Sequence, residues 1–273
     1  MLGEDWLRPE WPAPKQVKAL FTSRHEGASA PPFDSLNLAE HVGDDPHSVA
    51  INRNRLAQVV GAKPVFLHQV HGITALALNQ HTPHGQHADA CFTAERQLAC
   101  TIMVADCLPV LLCRMDGSLV AAAHAGWRGL ANGVLTAAVE CFNAKPYALK
   151  ARENNLLSVP SSERIIAWLG PCIGPAEFEV GPEVKAAFAA MTFLGSQTAS
   201  CFKAGVSGKY LADLQSLARL QLAALGVEQV YGNDGSDSWC TVKQASRYFS
   251  HRRDTGVKKL ASTGRMAACI WID

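Results

Sequence analysis

Residues 99–125, ACTIMVADCLPVLLCRMDGSLVAAAHA, contain three apolar runs separated by small or polar residues. The runs at 99–105, 109–113 and 119–123 are rich in the apolar and β-branched residues that favour strands. Asp116-Gly117, between the last two runs, is typical of a hairpin turn. The stretch therefore predicts three neighbouring strands of a sheet.

The same patterns extend in both directions along the chain. Helical spacing of apolar residues predicts helices, and buried apolar runs predict further strands. At 44–60, Asp44-Asp45-Pro46 supplies an N-cap and a first-turn proline, and Gly61 ends the helix. The other predicted elements are strands at 65–70, 165–169 and 266–272 and helices at 131–142, 182–191 and 211–225. Because helices and strands do not alternate regularly, the class is α+β rather than a doubly wound parallel sheet.

Composition excludes several classes of protein. The 273 residues are 48% hydrophobic and 18% charged, a composition that excludes a disordered protein. The formal net charge is only +1, so no excess of positive charge attracts nucleic acid or an acidic membrane. No apolar run is long enough to span a membrane, and the N-terminus lacks a secretory leader, so we expect a cytoplasmic protein. We expect one domain over 1–273, with a polar loop insertion at 143–163.

The nine cysteines are scattered, odd in number and without a C-x-x-C pair. A chain of this length does not need disulfides to fold. Most of the cysteines lie in apolar runs, where cysteine behaves as a small hydrophobic residue. We therefore predict reduced thiols, with one or two of them reserved for chemistry.

Three candidate metal ligands lie where predicted strands end. His71 follows the first such strand, Cys107 follows a second and His124 ends a third. Two imidazoles and a thiolate suit Zn²⁺, and three protein ligands leave the fourth position open, as in catalytic sites. The alternative is that both histidines are hydrogen-bonded core residues and that Cys107 only packs.

Other histidines compete for the same role. His68, three residues before His71, points to the opposite face of a strand, so only one of the two is expected to bind the metal. We favour His71 and leave His68 to contact substrate. In HTPHGQH (81–87), three histidines recur at a spacing of three, but Pro83 and Gly85 forbid a helix that would align them, and we interpret the stretch as a solvated loop.

Several polar residues are candidates for substrate or phosphate binding. Arg128, in GWRG before a helix, either binds an anion or is exposed in a plain turn. Asn37 offers an amide between turn residues, and Arg53 contributes only if its helix face points inward. Asp106, next to Cys107, either acts as a general base and supports the ligand or orients the backbone at a strand end.

Taken together, these segments resemble the YfiH family, also known as multicopper polyphenol oxidoreductases (laccases), purine nucleoside phosphorylases or peptidoglycan editing factors. The matching stretches are SLNLAEHVGDDP (35–46), HQVHG (68–72), ADA (88–90), ADCLPVLL (105–112), AAHAGWRG (122–129), GPCIGPAEFEVG (170–181), CT (240–241), FSHRRD (249–254) and TGRMAACIW (263–271). The resemblance implies a single layered α/β/β/α domain with mixed sheets, related to cysteine hydrolases. It also implies zinc ligands at His71, Cys107 and His124.

The activities implied by the resemblance are phosphorolysis of adenosine, inosine and methylthioadenosine, and deamination of adenosine. The partners would be a purine nucleoside and phosphate, in a monomer or small homo-oligomer. A copper-dependent polyphenol oxidase is a weaker alternative, because the chain has no H-x-H motif and no local Cys-His cluster for a blue-copper centre, although one copper ion fits the same ligands. A third alternative makes Cys107 a nucleophile, activated by His124, that hydrolyses an amide in a peptidoglycan precursor.

Overall fold

A computed structural model describes residues 3, 5–143, 165–191, 193–257 and 260–273. Its strands are β1 Val17–Phe21, β2 Lys63–Phe66, β3 Ala75–Ala77, β4 Ala90–Thr93, β5 Leu98–Val104, β6 Leu108–Arg114, β7 Val120–Ala125, β8 Ile165–Leu169, β9 Glu179–Val180, β10 Phe202–Ala204, β11 Tyr210–Ala212, β12 Gln229–Gly232 and β13 Met266–Ile272. Its α-helices are α1 Pro46–Val60, α2 Trp127–Asn132, α3 Val134–Glu140, α4 Pro182–Ala189 and α5 Leu214–Ala224. Short 3₁₀-helices span Cys141–Asn143, Gly195–Cys201 and Asp237–Trp239, and a π-helix spans Arg252–Val257.

Two mixed sheets form the centre of the fold. One has the order β1-β13-β5-β2 and the other the order β12-β8-β6-β7-β4-β3. Residues of both sheets share one apolar cluster, in which Ile102 of β5 and Ala268 of β13 lie with Leu111 of β6 and Val120 of β7. The two sheets therefore pack face to face. A smaller sheet has the order β10-β11-β9.

Helices cover the outer faces of both sheets. On the four-stranded side, Leu56 and Val60 of α1 pack with Phe66 and Met103. On the six-stranded side, residues of α2, α3, α4 and α5 share a cluster with alternate residues of β6, β7 and β8. The layers follow the order helix, sheet, sheet, helix, and the predicted α+β class with mixed sheets is confirmed.

Local sequence signals determine where helix α1 begins and ends and where the β6–β7 hairpin turns. Asp45 caps α1 by accepting hydrogen bonds from His47 and Ser48, and Gly61 ends the helix in the left-handed region at φ 68°. In the β6–β7 hairpin, Gly117 has φ 72°, a conformation that favours glycine. The predicted strand at 266–272 coincides with β13.

Two predicted elements differ from the structure. The strand predicted at 65–70 ends at Phe66, because the backbone N–H groups of Val70, His71 and Gly72 donate to the carboxylate of Asp89 instead of to a neighbouring strand. The helix predicted at 131–142 is interrupted near its start. The structure has α2, which ends at Asn132, and α3, which begins at Val134, because Gly133 between them has φ 101°. Most of the loop insertion predicted at 143–163 lies outside the described residues.

All nine cysteines are free thiols. Eight of them are buried, and Cys107 alone is partly exposed. Among the described residues, no helix has the length and apolar content needed to cross a bilayer.

Candidate metal centre

The topology brings His71, Cys107 and His124 to one end of the stacked sheets. Cys107 lies in the short connection from β5, in the four-stranded sheet, to β6, in the six-stranded sheet. His124 lies near the end of β7, opposite Pro109 of β6, so it lies close to the start of that strand. His71 lies in the segment that follows β2, and its own backbone has φ 59°. We call these three residues the candidate centre.

The ligand atoms of the candidate centre face one another. Their donor atoms all lie within 4.8 Å of one another, and Cys107 Sγ is 3.7 Å from His71 Nε2. Gly126 leaves room for them, since a Cβ there would lie 2.8 Å from His71 Cδ2 and 3.0 Å from Cys107 Sγ. A larger residue at this position would displace the ligands.

Asp89 holds both histidines in place, and the sequence analysis did not single it out. It precedes β4, whose Ala90 is opposite Ala123 of β7, so its fully buried carboxylate lies beside His124. Asp89 Oδ1 is 2.9 Å from His124 Nδ1, and the carboxylate also accepts the backbone N–H groups of Val70 (3.1 Å), His71 (2.9 Å) and Gly72 (2.7 Å). A carboxylate between two alanines, just before an apolar strand, is the signal that could have revealed this role.

Electrostatics favours a thiolate in this site. Burial raises the pKa of Cys107, but the charge of His124 and hydrogen bonds from His124 and His71 outweigh it and lower the pKa to about 6. Burial lowers the pKa of His124, but the Cys107 thiolate and the Asp89 carboxylate raise it to about 9. Without a metal, the pair is therefore a thiolate and an imidazolium at neutral pH. The thiolate is also the form of cysteine that binds metals.

The donor set fits a zinc ion. Zn–N and Zn–S bonds of about 2.0–2.3 Å in a tetrahedron place neighbouring ligand atoms about 3.5 Å apart, close to the 3.7 Å between Cys107 Sγ and His71 Nε2. His124 directs its other ring nitrogen to Asp89, the carboxylate partner that metal-binding histidines commonly have. Copper accepts the same two imidazoles and thiolate, so the ligands alone do not select one metal.

The candidate centre opens into a cavity of about 410 Å³. Apolar side chains that include Met103, Ile173 and Phe178 form part of its wall. The remaining lining residues are His41, Gln69, Val104, Ala105, Asp106, Trp127, Arg128, Leu214, His251, Arg252 and Arg265, beside the three residues of the centre. The cavity thus combines an apolar wall with a group of basic side chains.

Three arginines give the cavity a positive wall. Arg265 donates to the carbonyls of Thr263 and Gly264, and the guanidinium of Arg128 lies 4.3 Å from the centre of the Trp127 ring. Arg252 also donates to backbone carbonyls. Within the described part of the chain, none of the three forms an ion pair with a carboxylate. Cations on a cavity wall that form no direct ion pair are available to attract an anion.

Asp106, predicted as a general base or support, lines the cavity with both carboxylate oxygens engaged. Oδ1 accepts the hydroxyl of Thr241 at 2.5 Å, and Oδ2 accepts the backbone N–H of Arg252 at 2.6 Å. Its backbone carbonyl accepts the N–H of Ile173 at 2.9 Å. These contacts tie the Cys107 segment to the chain that carries Arg252, and they support the orienting role over the general-base role.

Of the four predicted binding residues, one is brought together with the candidate centre. Arg128 lines the cavity, whereas Asn37, Arg53 and His68 do not. Asn37 is fully buried, and its amide oxygen accepts the backbone N–H of Arg265 at 3.0 Å, so it supports a cavity residue without facing the cavity. Arg53 donates to the Leu38 carbonyl from α1, on the outer face of the four-stranded sheet.

Residues 18–273 match the model of a family described as multi-copper polyphenol oxidoreductase laccase. The chain belongs to this family. Two relatives are the purine nucleoside phosphorylase YfiH of Escherichia coli, 46% identical over 97% of both chains, and a purine nucleoside phosphorylase of Pseudomonas aeruginosa, 43% identical over 98% of both. The resemblance to the YfiH family is therefore confirmed.

Solved structures of the family have the same fold. A Neisseria meningitidis protein superposes with a TM-score of 0.83 at 41% identity, covering 99% of this chain and 100% of that one. YlmD from Geobacillus stearothermophilus gives a TM-score of 0.83 at 31% identity, covering 100% of this chain and 97% of YlmD. The layered arrangement is thus shared across the family.

Several cavity residues lie in the stretches that resemble the family but were not singled out from the sequence. They are His41, Gln69, His251, Arg252 and Arg265. Gln69 lies two residues before His71, whereas the other four come from loops or element ends that carry no residue of the candidate centre, so no local spacing links them to it. A basic residue beside a serine or glycine, as in FSHRRD and TGRMAACIW, was the only available signal.

Proposed function

We propose that this protein is a zinc-dependent purine nucleoside phosphorylase that acts on adenosine, inosine and methylthioadenosine and also deaminates adenosine. The observation that carries the proposal is the cavity, in which a three-donor candidate centre faces arginines that lack carboxylate partners. Two bacterial relatives with 43% and 46% identity are named purine nucleoside phosphorylases, which supports the same reaction.

Phosphorolysis joins a phosphate oxygen to the anomeric carbon of the ribose while the bond from that carbon to the purine breaks. Arg128, Arg252 and Arg265 would hold the phosphate and neutralise its charge, which lowers the cost of bringing an anion to the sugar. Zinc at the candidate centre would supply Lewis-acid chemistry next to this wall. Phe178 and Ile173 provide an apolar surface suited to the faces of a purine.

In deamination of adenosine, a water oxygen bonds to the purine carbon that carries the amino group and that group leaves as ammonia, so a side chain is needed that takes a proton from the water and returns it to the leaving nitrogen. His41 lines the cavity, and burial followed by the nearby Arg265 lowers its pKa. A histidine with a lowered pKa is neutral at neutral pH and can therefore accept a proton. We propose that His41 moves this proton.

The direct test is phosphate dependence. Purified protein incubated with inosine is expected to form hypoxanthine and ribose 1-phosphate only when phosphate is present, measured by chromatography of both products. Sulfate at the same ionic strength serves as the control anion. Release of hypoxanthine at the same rate without phosphate would show hydrolysis and reject phosphorolysis.

Arg265 is held in the wall by its hydrogen bonds to two backbone carbonyls, and its replacement tests the phosphate site. Arg265→Met is expected to raise the KM for phosphate by about 10–100-fold, since a hydrogen bond to a charged group contributes about 1.5–3 kcal/mol. Initial rates at varied phosphate measure this change. Arg55→Met removes an exposed arginine that pairs with Glu26 and is the matched control. An unchanged KM in Arg265→Met would exclude this arginine from phosphate binding.

A second candidate function is a cysteine-dependent hydrolase of an amide, such as one in a peptidoglycan precursor. Asp89, His124 and Cys107 lie in series, and the pKa of Cys107 is lowered to about 6. That order of carboxylate, imidazole and thiolate is the arrangement that activates a nucleophile. A bound metal would occupy the Cys107 sulfur, so metal content separates the two candidates.

A further inference from the structure

His68 and His87 form a pair outside the candidate centre and its cavity. The two residues are partners in an isolated parallel bridge. His68 donates its backbone N–H to Gln86 at 2.8 Å and accepts the N–H of Ala88 at 3.3 Å. These two bonds fix the backbones side by side, and because the two residues are bridge partners, their side chains leave from the same face.

The two imidazole rings lie against each other in solvent. Their centroids are 4.4 Å apart, and the ring planes differ by 27°. Both side chains are exposed. In the described residues, no side chain or backbone group forms a hydrogen bond or ion pair with either ring. The rings are therefore not committed to another partner among these residues, and both belong to exposed residues that a ligand can reach from solution.

The spacing of the rings suits a single ion held between them. Two nitrogens bound to one ion at about 2.0–2.1 Å lie about 3 Å apart. Centroids 4.4 Å apart bring the two rings close enough for one nitrogen of each to bind the same ion once the rings rotate about χ2, a torsion with a broad energy minimum. The fixed backbones leave only these side-chain torsions to be ordered on binding.

The position of the pair places it at the rim of the cavity. Gln69, which follows His68, lines the cavity and anchors this segment through two hydrogen bonds of 2.8 Å to the backbone of Met103. His41, on the cavity wall, interacts electrostatically with His68. The pair is thus a separate group of ligands next to the opening that substrate would use.

We infer that His68 and His87 form a second metal-binding site, which takes divalent transition metals and prefers Cu²⁺. Imidazole nitrogen binds copper, nickel and zinc and has little affinity for Mg²⁺ or Ca²⁺, and copper binds most tightly of the divalent first-row ions. Water completes the coordination. With two ligands and no thiolate, the site binds more weakly than the candidate centre, and the inference does not depend on the proposed function.

The test is a Cu²⁺ titration of the untagged full-length protein with its candidate centre already loaded with zinc. Electron paramagnetic resonance is expected to show one added Cu²⁺ per chain with splitting from two nitrogens, while zinc content stays constant. His87→Ala is expected to weaken this binding at least tenfold. His81→Ala, an exposed histidine of the same loop, is the matched control and is expected to bind like the wild type.

Three results would overturn the inference. One is equal Cu²⁺ affinity in His87→Ala and the wild type, and another is an equal loss in His81→Ala. The third is displacement of zinc by Cu²⁺ to the same extent in the wild type and His87→Ala. Phosphorolysis by His87→Ala is expected to match the wild type, so failure of the proposed function and failure of this site give different patterns.

Discussion

Cys107→Ala is expected to lose both bound zinc and turnover, each by more than about a hundredfold. The thiolate is the one anionic donor of the candidate centre, and without it two imidazoles remain. Loss of an outer partner of a metal ligand already costs about 10–100-fold, so loss of a direct ligand costs more. Zinc per chain, by atomic emission, and hypoxanthine release measure the two effects on the same preparation.

Cys141→Ala is the matched control for Cys107→Ala. Cys141 is a buried thiol at the end of α3 and does not line the cavity. The control is expected to keep both zinc and turnover. Full zinc content in Cys107→Ala together with lost turnover would contradict the metal assignment and favour the hydrolase candidate.

Asp89→Asn is expected to lower zinc affinity by about 10–100-fold, with a parallel loss of turnover. One carboxylate oxygen becomes an amide N–H₂, which cannot accept hydrogen bonds. Because each oxygen of Asp89 has two of its four partners, the 70–72 backbone and His124, two bonds are lost. Each buried donor left unpaired also lowers the free energy of unfolding by about 1–3 kcal/mol. Competition with a zinc indicator and thermal unfolding measure the two consequences.

Asp116→Asn provides the comparison for Asp89→Asn. Asp116 accepts the N–H of Ser118 in the β6–β7 turn and does not line the cavity. Its replacement is expected to leave zinc affinity unchanged. If Asp89→Asn also binds zinc like the wild type, the support assigned to Asp89 is wrong.

Periodic and local signals predicted β2, β5, β6, β7, β8 and β13, but not β1, β3, β4 or β9–β12. The runs at 99–113 and the Asp116-Gly117 turn predicted β5, β6 and the β6–β7 hairpin, because these elements depend on residues close in sequence. The strand end at Phe66 could not be predicted, since it depends on Asp89, which lies 23 residues further along the chain. The break at Gly133 had a local signal, but apolar spacing across it outweighed that signal in the sequence analysis.

In the candidate site, too, residues with a local sequence signal were predicted, whereas residues placed by contacts between distant parts of the chain were not. His71, Cys107 and His124 were predicted because each stands where an apolar run ends. Arg53 illustrates what sequence cannot supply, since its helical position did not show that α1 lies on the outer face of a sheet. Arg265 enters the cavity only through the packing of the 263–265 segment against Asn37, a contact between residues 228 positions apart.

The burial of eight cysteines leaves a single thiol within reach of electrophiles and oxidants. Because that thiol is a candidate ligand, a zinc ion would shield it, and the same chain without metal would present it as a reactive thiolate. The rate at which an alkylating reagent modifies the protein therefore reports how much of a preparation carries its ion. In a cell, oxidative damage would concentrate on molecules that have not yet acquired metal.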